Sequence, residues 1–203
     1  EVLRMQIVSV EPLDKRRSKV LTDEGLAFPL YNGELETYGL REGQELPGPV
    51  YEEILRTVLC PRAKERLLHL LKMSDKTETE LRRRLRDGGY PSEAVEEAIA
   101  YGKRYRYVDD RRYTENYVAS AAAGKSRRRI EAELAGKGIS RELAEACLAE
   151  TEIDEAGQIE RLLQKRGYDR ETADLKEQQK TMAYLSRRGF SYEAILDIMH
   201  KKD

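Results

Sequence analysis

Arginines recur in short clusters along this chain, and the chemistry they offer is recognition of anions. Arg82, Arg83, Arg84 and Arg86 form one group. Lys125, Arg127, Arg128 and Arg129 form a second, and Arg187 and Arg188 a third. A guanidinium presents a planar fork of donors that matches a phosphate or a carboxylate. The candidate binding residues are therefore Arg82, Arg83, Arg86, Lys125, Arg127, Arg128, Arg129 and Arg188. The competing reading is a solvated helix face neutralised by Glu78, Glu80, Glu131 and Glu133. The second group argues against that reading, because it opens a helix, where the helix dipole disfavours cations.

A further run, Tyr101, Lys103, Arg104, Tyr105, Arg106 and Tyr107, interleaves rings with cations. Such a run can stack bases. Tyrosines at helical spacing also pack against neighbouring helices, and packing is the expectation here. No set of residues suggests catalysis. Gly124-Lys125-Ser126 looks like the end of a phosphate-binding loop, but the upstream glycines that such a loop needs are missing. His69 lies among leucines and His200 near the end, each without a Cys or His partner in metal-ligand spacing. Asp109-Asp110 is expected to cap a helix rather than to hold a metal, since adjacent side chains diverge. The expectation is a non-enzymatic protein with no metal and no cofactor.

The whole chain of 203 residues has a net charge of −1, so it is no polycation. The charge is unevenly spread, however. Residues 1–60 carry 7 Lys/Arg against 11 Asp/Glu, and residues 61–106 carry 12 against 8. A basic face can sit on a near-neutral protein. Cys60 and Cys147 are far apart and read as two reduced thiols. No run approaches the ~18 apolar residues of a membrane span, and no apolar signal segment opens the sequence. A cytoplasmic location is expected.

The elements that must position these groups are mainly helical. The first fifty residues are the exception. Val2, Ile7, Val8 and Val10, then Ser18 to Leu21, then Leu26 to Tyr31 suggest three strands of an antiparallel meander, with Pro29 pushing the third to an edge. Gly33 to Gly43 has room for a short helix, and Pro47-Gly48-Pro49 reads as a breaker. From Tyr51 onward the period is helical. Three segments share one pattern: Leu81, Leu85, Gly89, Tyr90, Glu93; Ile130, Leu134, Gly138, Ile139, Glu142; and Thr181, Leu185, Gly189, Phe190, Glu193. Each glycine is expected to end a helix in the left-handed conformation, with the next apolar residue tucked under the turn. Thr77 to Glu80 has the form of a capping box, and Ser140 and Ser191 are expected caps. The fold expected is mainly α: three tandem three-helix repeats forming an elongated body, with a small β-rich segment at the N-terminus. The expected division is 1–50 for that segment, 51–106 for a linker helix and the first repeat, 107–150 for the second and 151–203 for the third.

The run Tyr107-Val108-Asp109-Asp110-Arg111-Arg112-Tyr113, the segment Arg129 to Leu134 with Lys137-Gly138-Ile139, and Arg188-Gly189-Phe190-Ser191-Tyr192 resemble the RecX family over about residues 55–203. Thr181 departs from the pattern, standing where the first two repeats have Leu or Ile. The resemblance implies a regulator, usually an inhibitor, of the RecA recombinase, which binds the RecA–DNA filament and so affects DNA repair, recombination and the SOS response. RecA filament is then the expected partner of a monomeric protein, with single- and double-stranded DNA as further candidates. A sequence-tolerant nucleic-acid-binding module without a recombinase partner and a purely structural helical adaptor are the alternatives that residue types alone leave open.

Overall fold

In the computed structural model, which describes residues 4–201, alternation along the first strands separates a buried face from an exposed one. Strands β1 (Arg4–Pro12), β2 (Arg17–Thr22) and β3 (Ala27–Tyr31) pair antiparallel and bury Met5, Ile7, Val20, Phe28 and Leu30. Pro29, which has no N–H to donate, sits on edge strand β3 opposite Lys19. Val2, expected in the first strand, lies outside the described residues. The sheet has four strands rather than three. Residues Glu45–Pro47 form β4, which pairs with the other edge of β1 to give the order β3-β2-β1-β4. The expected breaker at 47–49 is thus a strand end followed by a helix start. Helix α1 (Asn32–Tyr38) precedes β4, and α2 (Gly48–Ile54) follows it with proline in its first turn, where a missing N–H costs nothing. A π-helical stretch, Leu55–Leu59, leads into α3 (Cys60–Met73).

The sheet and the first repeat share one core. Phe28 meets the ring of Tyr51 with centroids 5.5 Å apart, and Leu46, Ile54, Leu67, Leu81, Leu85 and Ile99 are fully buried in the same cluster. A three-stranded or four-stranded sheet this small is marginal alone, so sharing the repeat's apolar surface is what stabilises it.

Three helices make each repeat. They are α3, α4 (Glu78–Asp87) and α5 (Ser92–Arg104); α6 (Asp110–Ala121), α7 (Arg127–Gly136) and α8 (Arg141–Ala149); and α9 (Glu155–Arg166), α10 (Leu175–Arg187) and α11 (Tyr192–Met199). The turn between the last two helices of each repeat is the same device. Gly89, Gly138 and Gly189 have φ of 85°, 80° and 92°. The following amides of Tyr90, Ile139 and Phe190 donate back to the carbonyls of Leu85, Leu134 and Leu185. The apolar side chains then cover the helix end: Ile139 and Phe190 are buried and Tyr90 half-buried. Thr77 and Glu80 form the expected reciprocal cap on α4, and Ser140 and Ser191 accept from the amides of Leu143 and Ala194. Each cap contributes about 1 kcal/mol.

Contacts divide the chain into two compact units, Glu1–Asp109 and Asp110–Asp203. In the second unit Gln158 of α9 donates from Nε2 to the carbonyl oxygens of Ala122 and Lys125, tying the third repeat to the second. Thr181 is fully buried on α10 and its hydroxyl has no partner, so the departure from an apolar residue leaves a polar atom unsatisfied in the core. None of the described helices is long and apolar enough to cross a membrane.

Candidate functional site

The three arginine-rich segments occupy corresponding places, the second helix of each repeat, but the structure uses their side chains in different ways. On α4, Arg82 turns inward and is engaged. Its Nε and Nη2 donate to both carboxylate oxygens of Glu96 on α5, at 2.9 and 2.7 Å, and Nη1 reaches Glu78. Lys103 adds a second cation to Glu78 at 3.0 Å. Burial alone would raise the pKa of Glu78, but Arg82 and Lys103 outweigh it and hold the carboxyl below its ordinary range. Arg82 thus latches α4 to α5. Arg83, Arg84 and Arg86 are exposed on the same helix, outside ion-pairing distance of any carboxylate among the described residues.

Arg86 has company that the sequence did not suggest. It lines a cleft of about 640 Å³ with Arg17 and Lys19 from β2, Pro29 from β3 and Tyr90 after the glycine turn. Arg17 and Lys19 are two residues apart on a strand and therefore project from one face, a hint that alternation contains. Arg17 is paired with Asp14 at 2.7 Å.

In the second unit, a network centred on Glu133 orders the start of α7. Lys125 Nζ lies 2.6 Å from Oε2, to which the Tyr117 hydroxyl also donates, and Arg129 Nε lies 3.0 Å from Oε1. Against the upward push of burial, Lys125, Tyr117 and Arg129 bring the pKa of Glu133 down to about 2. Ser126 caps the helix by accepting from the Arg129 amide, and its hydroxyl donates to the carbonyl of Arg188 at 3.0 Å. Helix α7 has no acid in its own first turn. It borrows one: Glu155 of α9 accepts from the Arg127 amide at 2.7 Å, so the helix start meets a negative charge despite its cationic sequence.

This packing creates a cleft of about 510 Å³ lined by Arg128, Arg129 and Glu133 of α7 and by Arg187, Arg188 and Gly189 at the end of α10. Four guanidinium groups face one carboxylate that is already engaged by Arg129 and Lys125. Arg188 is stacked over the Tyr184 ring at 4.7 Å, while Arg128 and Arg187 are exposed. Of the residues singled out from sequence, Arg128, Arg129 and Arg188 are therefore brought together, with Arg187 beside them. Lys125 is turned toward Glu133, and Arg127 is exposed without lining the cleft. The residue types suit a polyanion or an acidic protein surface.

The tyrosine run behaves differently from expectation. Tyr105 and Tyr107 are 53 % and 47 % exposed, so they do not pack beneath a neighbouring helix. The thiols of Cys60 and Cys147 are buried; burial pushes Cys60 up to about 12 and raises Cys147 as well, leaving both in the unreactive thiol form at neutral pH. Among the described residues no group of His, Cys, Asp or Glu is arranged to hold a metal ion.

Comparison with known proteins places this architecture. Family models of the first, second and third three-helix domains of RecX match residues 63–101, 109–148 and 154–199. The regulatory protein RecX of Serratia proteamaculans is 32 % identical over 156 residues, covering 66 % of this chain and 93 % of that protein. That of Clostridium acetobutylicum is 26 % identical over 198 residues, covering 95 % and 92 %. A crystal structure of regulatory protein RecX superposes with a TM-score of 0.63 at 25 % identity, across 97 % of this chain and 100 % of that one. RecX from Lactobacillus salivarius superposes with a TM-score of 0.58 at 24 % identity, across 69 % and 94 %.

Proposed function

The chain belongs to the RecX family of regulatory proteins, and from that membership we propose that it binds the RecA–DNA filament and inhibits the ATPase and recombinase activity of RecA. The observation that carries the binding mode is the cleft between α7 and α10, lined by Arg128, Arg129, Arg187 and Arg188 and by a single carboxylate, Glu133, that Arg129 and Lys125 already engage. An acidic protein surface or a phosphate backbone complements such a site. Arg83 and Arg86, exposed on the equivalent helix of the first repeat, supply a second contact of the same kind.

The mechanism follows from binding energy and geometry. Weak contacts made by separate repeats combine through a high effective concentration when the partner is itself a repeating filament. Binding therefore favours assembled filament over free RecA, and a bound regulator opposes filament growth and ATP turnover by occupying successive protomers. The test is ATP hydrolysis by RecA on single-stranded DNA, measured against added protein, with RecA from the same source. The expected result is inhibition at or below one regulator per RecA. DNA binding with steep salt dependence but no effect on RecA would replace this reading with that of a nucleic-acid module. Binding to neither would leave a structural adaptor.

A further inference from the structure

The end of α5 carries an arrangement that the proposed filament contact does not use. The rings of Tyr101, Tyr105 and Tyr107 gather on the surface: centroids of Tyr101 and Tyr105 are 4.9 Å apart, and those of Tyr105 and Tyr107 are 6.1 Å apart with planes within 25°. A tight turn brings them together. The amides of Tyr107 and Val108 both donate to the carbonyl of Gly102, at 2.8 and 3.1 Å, and Arg106 is left-handed at φ 57°, where glycine is usual. Val108 is buried beneath, against Gly102; a Cβ there would approach Val108 Cγ2 to 2.6 Å. The buried anchor thus fixes the turn, and the rings on either side of Arg106 stay in water.

Cations lie beside the rings, two of them shared with carboxylates: Lys64 Nζ is 2.6 Å from Glu97 and Lys103 Nζ is 3.0 Å from Glu78. Lys64 Nζ lies 5.6 Å from the Tyr101 centroid and Arg104 Cζ lies 5.9 Å from that of Tyr105, both within cation–π range. Lys103 and Arg106 belong to the same segment. Tyrosines serving only to pack would be covered, yet Tyr105 and Tyr107 each keep about half of their surface exposed. Exposed aromatic faces flanked by cations match a ligand with flat rings on an anionic backbone. In a duplex the base faces are already stacked on one another; only an unpaired strand offers them.

We propose that Tyr101, Tyr105 and Tyr107, with Lys64 and Arg104 beside them, form a stacking platform for the bases of single-stranded nucleic acid. This contact belongs to the first unit, shares no residue with the arginine cleft of the second, and requires no recombinase. The test uses the full chain and fluorescence anisotropy at one fixed salt concentration. The probes are an oligo(dT) of about 20 nucleotides and an abasic strand of equal length, which keeps the phosphates and loses the bases. Wild-type protein is expected to bind oligo(dT) at least about tenfold more tightly than the abasic strand. The pair Tyr105→Leu with Tyr107→Leu should erase that preference, and the pair Tyr105→Phe with Tyr107→Phe should retain it. Equal binding of the two strands by wild type overturns the proposal, as does a preference that survives in a folded leucine variant. Failure of the wild type to bind oligo(dT) also overturns it; a leucine variant that then inhibits RecA less would assign the rings to a protein partner. If the leucine pair loses its helical circular dichroism, the comparison of strands on wild type, with Tyr105→Leu alone, decides.

Discussion

Helices α4 and α7 stand at the same place in successive repeats and are both rich in arginine, yet they solve opposite problems. Helix α4 matches its own dipole: Glu78 and Glu80 lie in its first turn, Arg84 and Arg86 in its last, and Arg82 is locked onto Glu78 and onto Glu96 of α5. Helix α7 begins with cations and is compensated by Glu133 one turn further along the same helix and by Glu155 of the next repeat, which caps its start. The first arrangement leaves arginines that fold the repeat beside arginines that are spare. The second makes the helix start depend on the third repeat and leaves a cationic cleft at the junction. Equivalent sequence positions in a repeat thus need not do equivalent work.

The glycine turns break the comparison most strongly. Gly89 and Gly189 both require left-handed backbone, which costs a non-glycine residue about 1–2 kcal/mol. A Cβ at Gly89 meets nothing nearer than Pro29 at 3.7 Å, whereas at Gly189 it would meet Ser126 Oγ at 2.6 Å and Arg129 at 3.3 Å. Gly89→Ala should therefore cost only the backbone term, and Gly189→Ala about 2–4 kcal/mol, because the cap of α7 must also give way. Denaturant unfolding monitored by circular dichroism measures both, and equal losses would show that the junction is not tightly fitted.

Within α4 the next contrast is between neighbours. Arg82→Ala should destabilise by about 1 kcal/mol, since it removes the latch between α4 and α5 and leaves Glu78 to Lys103 alone, while Arg83→Ala should stay within about 0.5 kcal/mol. Thermal unfolding of the two variants checks this. Comparable losses would mean that the latch is a minor contributor.

A further contrast concerns pH and belongs to α7. The pKa of Glu133 is lowered from 4.5 to about 2 in the folded protein. A depressed carboxylate contributes stability that is fully present above its unfolded pKa and is lost as pH falls through the folded value. Wild-type stability should decline between about pH 4.5 and pH 2, and Glu133→Gln, less stable at neutral pH, should decline less over that window. Parallel curves would assign the acid sensitivity to other groups.

What was legible beforehand was what is local. The capping box at Thr77, the caps at Ser140 and Ser191 and the three glycine turns each lie within six residues, and each formed as its residue types require. Strand β4 was missed because three residues have no readable alternation and their partner lies some forty positions away on β1. The division of labour among arginines was equally hidden: Arg82 finds Glu96 fourteen residues on, and Lys125 finds Glu133 and Tyr117 from a turn. The cleft could be foreseen only as a list of cations, since it takes α10 to bring Arg187 and Arg188 beside Arg128. The tyrosines misled because spacing shows that rings share a face but not whether another helix covers it.

We propose that the junction of the second and third repeats grips the filament. The most direct measurement is inhibition of RecA ATP hydrolysis on single-stranded DNA by the pair Arg128→Glu with Arg187→Glu, beside wild type and the pair Arg83→Glu with Arg86→Glu. Both residues of the junction pair are exposed, so the fold should persist by circular dichroism. The account predicts that the junction pair raises the concentration for half-inhibition by about tenfold or more, and that the first-repeat pair raises it by less. A folded junction variant that inhibits as well as wild type would contradict it.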